Sequence, residues 1–465
     1  MQNFNVRDLI NAMGGKFLLG DPNLMVREIS IDTRTLKKGQ FYLALKGKNF
    51  DGHDFIKDAI EKEAAGVIFS REDIDLSKPF STFPTVIKVK DTRQALEDIA
   101  WHYRRRFKSV KVIGITGSNG KTTTKDMLAS ILSLEGKTTC TPANANNRIG
   151  LPLAMLDLEA DTEYAVFEIG TNEHGEIKAL TDIAAPDVGV ITNIGYAHIE
   201  TFGSLEGVFN EKRALLDGTS KEGFVVLNID DPYLKSAVSK MYTKTITYGL
   251  YNGSDIYAKN LRVWPNNPVF ELHIGTKSAE VNLPIKGRFN IFNALAAAAA
   301  AHGLGVDINK IKEGLEKFTP PPMRMEITTL PTGTVLINDA YNANPSSIKE
   351  SIASIVQAYP GKKIVAVLGD MLELGSDAPK FHAELGKFID TQNVAGVFLT
   401  GDMCGYTKEN IKVKPCYYSL NKNALFQELD KVLDSKTVVI FKASRGMKLE
   451  EIYNKIIIRH EMGEA

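Results

Sequence analysis

The sequence predicts an α/β protein of three domains: a central, mostly parallel sheet of P-loop type covered by helices, a C-terminal doubly wound sheet of the dinucleotide-fold type, and a smaller N-terminal α/β domain. Three observations carry this. Apolar runs of strand length alternate with helical stretches from about residue 110 to the C-terminus, the pattern of parallel strands joined by helical crossovers. One of those runs breaks into two glycines, a lysine and hydroxyls before a helical pattern from 125 to 134. The length of 465 residues is that of about three domains.

Composition narrows the class. Hydrophobic residues make up 43% and charged residues 24% of the chain, as in globular proteins. Lys+Arg (56) balance Asp+Glu (56), so nothing points to nucleic acid or an anionic membrane. The longest apolar run, 294–301, is far too short to span a membrane, and residues 1–11 lack the apolar core of a secretion signal. Cys140, Cys404 and Cys416 are scattered and odd in number, as in a reducing compartment. The expectation is a cytoplasmic monomer that acts on small molecules, with no nucleic-acid partner and no membrane span.

The elements fall into three blocks. Residues 1–108 hold apolar runs at 41–45 and 66–69, with a helical stretch at 56–64. Arg104-Arg105-Arg106 closes a helix and reads as a solvated helix end. Residues 109–318 hold strand-like runs at 110–115, 164–169, 188–192 and 224–228, then turn-rich runs such as Tyr251-Asn252-Gly253-Ser254, then an alanine-rich helix at 289–302. Pro320-Pro321-Pro322 stops regular structure. Residues 319–465 alternate strands at 335–338, 363–368, 396–399 and 437–441 with helices at 346–358, 379–391, 424–433 and 447–459. No G-x-G-x-x-G fingerprint accompanies them, so nicotinamide binding has no support.

The chemistry begins at Thr116-Gly117-Ser118-Asn119-Gly120-Lys121-Thr122-Thr123. Glycines let the backbone turn sharply and bring its N–H groups to an anion. The following helix adds unpaired N–H groups and a positive dipole end. Lys121 can neutralise outer phosphates, and Thr122 can place a hydroxyl on magnesium. The standard P-loop has a glycine where Ile115 stands, so this is a shorter form of that turn. Glu168 ends the run 164–169 at the carboxyl side of a parallel sheet, where ligands bind, and could share that magnesium. His198 follows the next strand and makes a second metal or phosphate contact plausible. Lys212, taken alone, reads as a solvated charge on a helix.

Together these residues resemble the Mur ligase family of ATP-dependent amide-forming enzymes. The matching stretches are the 116–123 turn, Asn146-Asn147-Arg148-Ile149-Gly150, Glu168-Ile169-Gly170, Thr192-Asn193-Ile194-Gly195-Tyr196-Ala197-His198, Asn228-Ile229-Asp230-Asp231, Gly287-Arg288-Phe289-Asn290-Ile291-Phe292-Asn293 and Arg324-Met325-Glu326. Within the family the chain looks most like the branch that adds D-alanyl-D-alanine to a UDP-muramoyl-tripeptide. Asp339-Ala340-Tyr341-Asn342-Ala343-Asn344-Pro345-Ser346, Gly369-Asp370-Met371-Leu372-Glu373-Leu374-Gly375, the stretch 168–177, and Asp32-Thr33-Arg34 with Gly47-Lys48-Asn49-Phe50-Asp51-Gly52-His53 point that way. The D-N-P-R segment of the diamino-acid-adding branch is absent.

The resemblance implies roles. ATP would be held by Gly117, Ser118, Asn119, Gly120, Lys121, Thr122 and Thr123, with Asn290 and Asn293 near adenine and Arg324 and Asp339 near the ribose and phosphates. Two magnesium ions are implied, one on Thr122 and Glu168, a second on His198 and on Lys212 in carbamylated form. Lys121, Glu168, His198 and Lys212 would be the catalytic set. Thr33, Arg34 and Asn49 would contact the UDP-sugar, and Asn146, Asn147 and Asn172 are further substrate contacts. Asn344, Ser444 and Arg445, in loops of the last block, are candidates for the dipeptide. The three blocks would bind, in order, the UDP-substrate, ATP and the dipeptide, with the proline run as a hinge for closure. Another Mur-type ligase, or a folate-type ligase, remains an alternative reading. So does a P-loop ATPase switch that works through a protein partner.

Overall fold

A computed structural model of the chain describes residues 1–465 apart from 3, 48, 75–83, 144, 251–252, 264–266 and 462–465. Lys48 and the Tyr251-Asn252 part of the expected turn therefore lie outside the described residues. Among the described residues there are three sheets of five, nine and six strands, one for each block. No described helix is long and apolar enough to cross a membrane.

The nine-stranded sheet is built around Lys111–Thr116, which pairs in parallel with Val188–Ile191 on one side and Tyr164–Glu168 on the other. Val112, Ile113 and Ile115 have no exposed surface, as expected of an apolar run covered on both faces. Thr138–Cys140 extends one edge, and Phe224–Asn228 with Lys244–Gly249 continues the other in parallel. Beyond them Ile256–Arg262 joins, followed by Val269–Ile274 and Lys277–Asn282 in antiparallel pairing. The alanine-rich helix is Phe289–Gly303. Its alanines at 294 and 296–301 are all fully buried, because it packs against both the helix Lys121–Leu132 and the sheet. Small side chains allow that close approach.

The N-terminal sheet orders Lys16–Leu19, Thr85–Lys88, Gly66–Phe69, Phe41–Leu43 and Ile29–Ser30, antiparallel only at its first pair. It shares one apolar core with the central block, in which Phe4, Leu9, Ile99 and Tyr103 meet Leu151, Met155, Phe167 and Ile177. The helix Thr92–Arg104, capped by Asp91 through the Gln94 N–H, carries that junction. Glu97 on it forms a two-pronged pair with Arg148 at 2.6 and 2.7 Å. The expected solvated helix end is corrected for Arg104, while Arg106 is exposed. Arg104 is buried and donates to the carbonyls of Ala184 (3.0 Å) and Phe107 (2.8 Å), because the central block covers the end of this helix.

The third sheet orders Glu326–Thr329, Val335–Asn338, Thr437–Lys442, Lys363–Gly369, Gly396–Thr400 and Cys416–Tyr418, with only the first pair antiparallel. Its strands alternate sides. Ile337, Ile364, Ala366, Leu368, Val438 and Ile440 face the helices Pro345–Ala358 and Ala378–Ile389. Leu336, Val365, Val367, Val439 and Phe441 face Lys422–Asp430 and Glu450–Glu461. Apolar residues on both faces of one strand are what a doubly wound sheet requires. The proline run lies in irregular backbone between the helix Ile308–Lys317 and the strand Glu326–Thr329.

Arg104→Ala should lower stability by about 1–3 kcal/mol, since it strands buried carbonyls. Exposed Lys108→Ala should stay within about 0.5 kcal/mol of the parent. Urea unfolding followed by circular dichroism measures both.

Candidate active site

The turn that leaves Lys111–Thr116 is shaped by two glycines. Gly117 has φ +148°, and a Cβ on it would lie 1.9 Å from Thr192 Oγ1. Gly120 has φ +79°, and its Cβ would lie 2.1 Å from Asn293 Oδ1. Only glycine tolerates both the conformation and the crowding. The turn is braced from the neighbouring strand end. Ser118 N–H donates to Asn193 O (3.0 Å), Asn119 N–H to Asn193 Oδ1 (3.0 Å), and Thr192 Oγ1 to Asn119 O (2.5 Å). The helix Lys121–Leu132 starts at Gly120 with no side-chain cap, so its first N–H groups stay available to an anion. Lys121 Nζ donates to Gly117 O at 2.9 Å. Burial lowers its pKa, opposed by Glu168 and reinforced by Arg324.

Thr122 and Glu168 meet directly. Thr122 Oγ1 donates to Glu168 Oε2 (2.7 Å), and Asn146 Nδ2 donates to Glu168 Oε1 (2.7 Å). Arg324, from the segment that enters the third sheet, reaches across and donates to Thr122 Oγ1 at 2.9 Å. Its guanidinium lies 4.1 Å over the Tyr341 ring, and Met323 and Met325 on either side of it adopt φ of +59° and +53°. Such strained backbone persists only where surroundings over-determine it. A hydroxyl and a carboxylate side by side are the hard oxygen donors that magnesium takes, so these residues fit that ion.

His198 also holds a left-handed backbone, φ +55°, and its Nδ1 lies 2.7 Å from Glu373 Oε2 of the third sheet. Lys212, on the helix Leu205–Asp217, is 1% exposed, which corrects its reading as a solvated charge. The helix turns Lys212 into the protein. Among the described residues it has no hydrogen bond or ion pair. Burial, then the charge of Lys121, lowers its pKa to about 7.

One cavity of about 1460 Å³ lies between the central and third sheets. The turn from Ser118 to Thr123, Glu168 and His198 line it from one side, and Arg324, Asp339, Asn344, Ser444 and Arg445 from the other. Asn146, Asn147, Asn172, Asn290 and Asn293 complete that list of expected residues. Several have structural duties there. Asn147 Oδ1 accepts from the N–H groups of Ile149 and Gly150. Asn293 backs Gly120 and donates to Asn290 Oδ1 (2.8 Å). Asn172 is exposed at the rim. Asp339 is tied to Lys442 Nζ (2.6 Å) and Ser351 Oγ (2.7 Å). Asn344 caps the helix Pro345–Ala358 and donates to Asn119 Oδ1 (2.7 Å). Ser444 accepts from Leu372 N–H (2.9 Å), and Arg445 pairs with Glu450.

Five expected residues do not line this cavity. Lys212 is enclosed and does not reach it, and Thr33, Arg34 and Asn49 lie in loops of the N-terminal domain. Arg34 pairs with Asp32 at 2.6 Å and holds its carboxyl down at about 2. Asp32 and Thr35 instead line a second cavity of about 300 Å³ against Pro142, Ala145 and Asp157 of the central block. Gly117 is also outside the main cavity, behind its own turn. Lys442, Tyr341 and Glu373 line the cleft and were not singled out from sequence. Lys442 ends the strand Thr437–Lys442, so its place at a carboxyl strand end was the available signal.

Three family models match the chain in order: Mur ligase family, catalytic domain, over residues 25–104; Mur ligase middle domain, over 115–301; and Mur ligase, glutamate ligase domain, over 323–456. The UDP-N-acetylmuramoyl-tripeptide--D-alanyl-D-alanine ligase of Bacillus subtilis is 37% identical over 93% of both chains. MurF of Acinetobacter baumannii superposes with a TM-score of 0.89 at 29% identity, over 98% of this chain and 99% of that one. MurF of Thermotoga maritima in complex with ADP superposes with a TM-score of 0.83 at 29% identity, over 94% and 98%. The chain belongs to the Mur ligase family.

Proposed function

We propose that this chain is an ATP-dependent amide ligase that joins D-alanyl-D-alanine to UDP-N-acetylmuramoyl-tripeptide, in cytoplasmic peptidoglycan precursor synthesis. The observation that carries this is the convergence of the anion-binding turn, Glu168, His198 and Arg324 on one cavity. The near full-length match to ligases named for that reaction supports the choice of substrates.

The chemistry follows from the inertness of a carboxylate. Its oxygen attacks the γ-phosphorus, an acyl-phosphate bond forms, the bond to the bridging oxygen breaks, and ADP leaves. The dipeptide nitrogen then attacks the acyl carbon, loses a proton, and inorganic phosphate departs. The uncapped N–H groups at the start of the helix Lys121–Leu132, with the 117–123 turn that presents them, and the Lys121 ammonium hold the β- and γ-phosphates, and Arg324 approaches from the third domain with Asp339. Asn290 and Asn293 border the adenine. Thr122 and Glu168 would hold one magnesium ion, and His198 with carbamylated Lys212 a second; the ions would supply neutralisation of charge where an anionic acid meets ATP. Carbamylation of Lys212 is supported by its depressed pKa, because only the neutral amine attacks CO2.

We divide the chain at 1–108, 109–318 and 319–465. The first part takes the UDP-substrate through Thr33, Arg34 and Asn49, supported by the second cavity beside Asp32. The last takes the dipeptide through Asn344, Ser444 and Arg445, which border the main cavity. Asn146, Asn147 and Asn172 serve the tripeptide end.

With both substrates and ATP, mass spectrometry should find the pentapeptide product, and ADP release should require the UDP-peptide and the dipeptide together. ADP release at full rate without the dipeptide would sink the reading. Lys121→Ala should fold and lose at least on the order of a hundredfold in kcat. Given ¹³C-bicarbonate, the protein should show a carbamate carbon resonance that Lys212→Met lacks. The same spectrum from both proteins would remove the modification.

A further inference from the structure

The stretch Gly369-Asp370-Met371-Leu372-Glu373-Leu374-Gly375 has no part in the reaction as described. It leaves the carboxyl end of the strand Lys363–Gly369 and is pinned residue by residue. Asp370 accepts from the N–H groups of Met403 (3.2 Å) and Cys404 (2.8 Å). His382, fully buried, is 2.8 Å from Ala378 O through Nδ1, so Nε2 is free to accept the Met371 N–H at 3.1 Å. Leu372 N–H donates to Ser444 Oγ at 2.9 Å. Asp370, His382 and Cys404 come within 4.8 Å of one another, but these bonds occupy both His382 nitrogens and both Asp370 oxygens, so the cluster is a fastening rather than an ion site.

The fastened loop ends against the central domain. Glu373 has φ +65°, and its carbonyl accepts the Glu200 N–H at 3.1 Å. Gly375 packs on Glu200, with a Cβ there only 3.2 Å from Glu200 Cα. The Glu373 carboxylate then lies 2.7 Å from His198 Nδ1. Two non-glycine residues in left-handed backbone thus face each other across the domain boundary, each at a cost that packing must offset. His198 Nε2 has no partner among the described residues, and both side chains border the main cavity.

We propose that Glu373 is a positioning residue: by taking the Nδ1–H of His198 it fixes the tautomer and direction of that ring, leaves Nε2 as the working nitrogen, and ties assembly of the phosphoryl site to docking of the third domain. A carboxylate behind a histidine orients the ring and raises the basicity of its far nitrogen. Because Glu373 rides on the third sheet and His198 on the central one, the pair exists only when the two are docked. The proposal rests on the reading of His198 as part of the reacting site.

Two readouts test it. In ¹⁵N spectra of histidine-labelled protein without substrates or metal, at a pH where the ring is neutral, His198 should be the Nδ1–H tautomer and should shift toward Nε2–H in Glu373→Ala. Glu373→Ala should lose about 10–100-fold in kcat with KM for ATP and dipeptide little changed. Glu373→Gln, whose amide oxygen still accepts the Nδ1–H, should recover most of that loss, and Glu373→Ala should add little to His198→Ala. An unchanged tautomer, or a Gln variant as impaired as the Ala variant, overturns the role of Glu373. Full activity of His198→Ala overturns the reading of His198 instead, while the tautomer result still judges the pairing.

Discussion

The tight backbone turn from Gly117 to Gly120 is the constraint on which the site depends. It forms only because residues 117 and 120 lack side chains, since Thr192 and Asn293 occupy the space that side chains there would need, and it leads straight into the uncapped helix start that can face an anion. Asn193 satisfies the backbone on one flank. Asn119 ties the other to the third sheet through Asn344 (2.7 Å) and Ser346 (3.3 Å). The loop that receives the nucleotide is therefore also the joint to the domain that completes the cleft.

The two flanking domains meet the central one in different ways. The N-terminal sheet shares an apolar core with it, and the buried Arg104 and the Glu97–Arg148 pair lock that seam. Around the cleft the third domain adds polar contacts, Arg324 to Thr122, Asn344 to Asn119 and Glu373 to His198, to an apolar cluster in which Ile199 and Phe202 meet Leu374 and Phe381, with the Tyr196 and Phe381 rings 4.9 Å apart. The third domain is therefore joined to the central one by apolar as well as polar contacts, and the irregular backbone at the proline run links the two.

Buried strands were the most legible parts of the sequence. Gly66–Phe69, Phe224–Asn228 and Val335–Asn338 have the bounds their apolar runs indicate. Thr138–Cys140, Glu326–Thr329 and the three strands between 256 and 282 were not read. They lie at sheet edges or are partly solvated, so no continuous apolar run marks them. Val269–Ile274 alternates buried and half-buried positions, a signal that a search for long runs passes over.

For the site, the order of residue types along the chain was enough to nominate the turn, Lys121, Thr122, Glu168 and His198, because backbone conformation and strand ends are local properties. Which of them share a cavity, that Lys212 is buried beside the charge of Lys121, that Asp339 is tied to Lys442, and that Glu373 reaches His198 depend on segments far apart in sequence. Burial and pairing arise from the packing of one domain on another. That information is absent from any single stretch of chain, and only the tertiary structure supplies it.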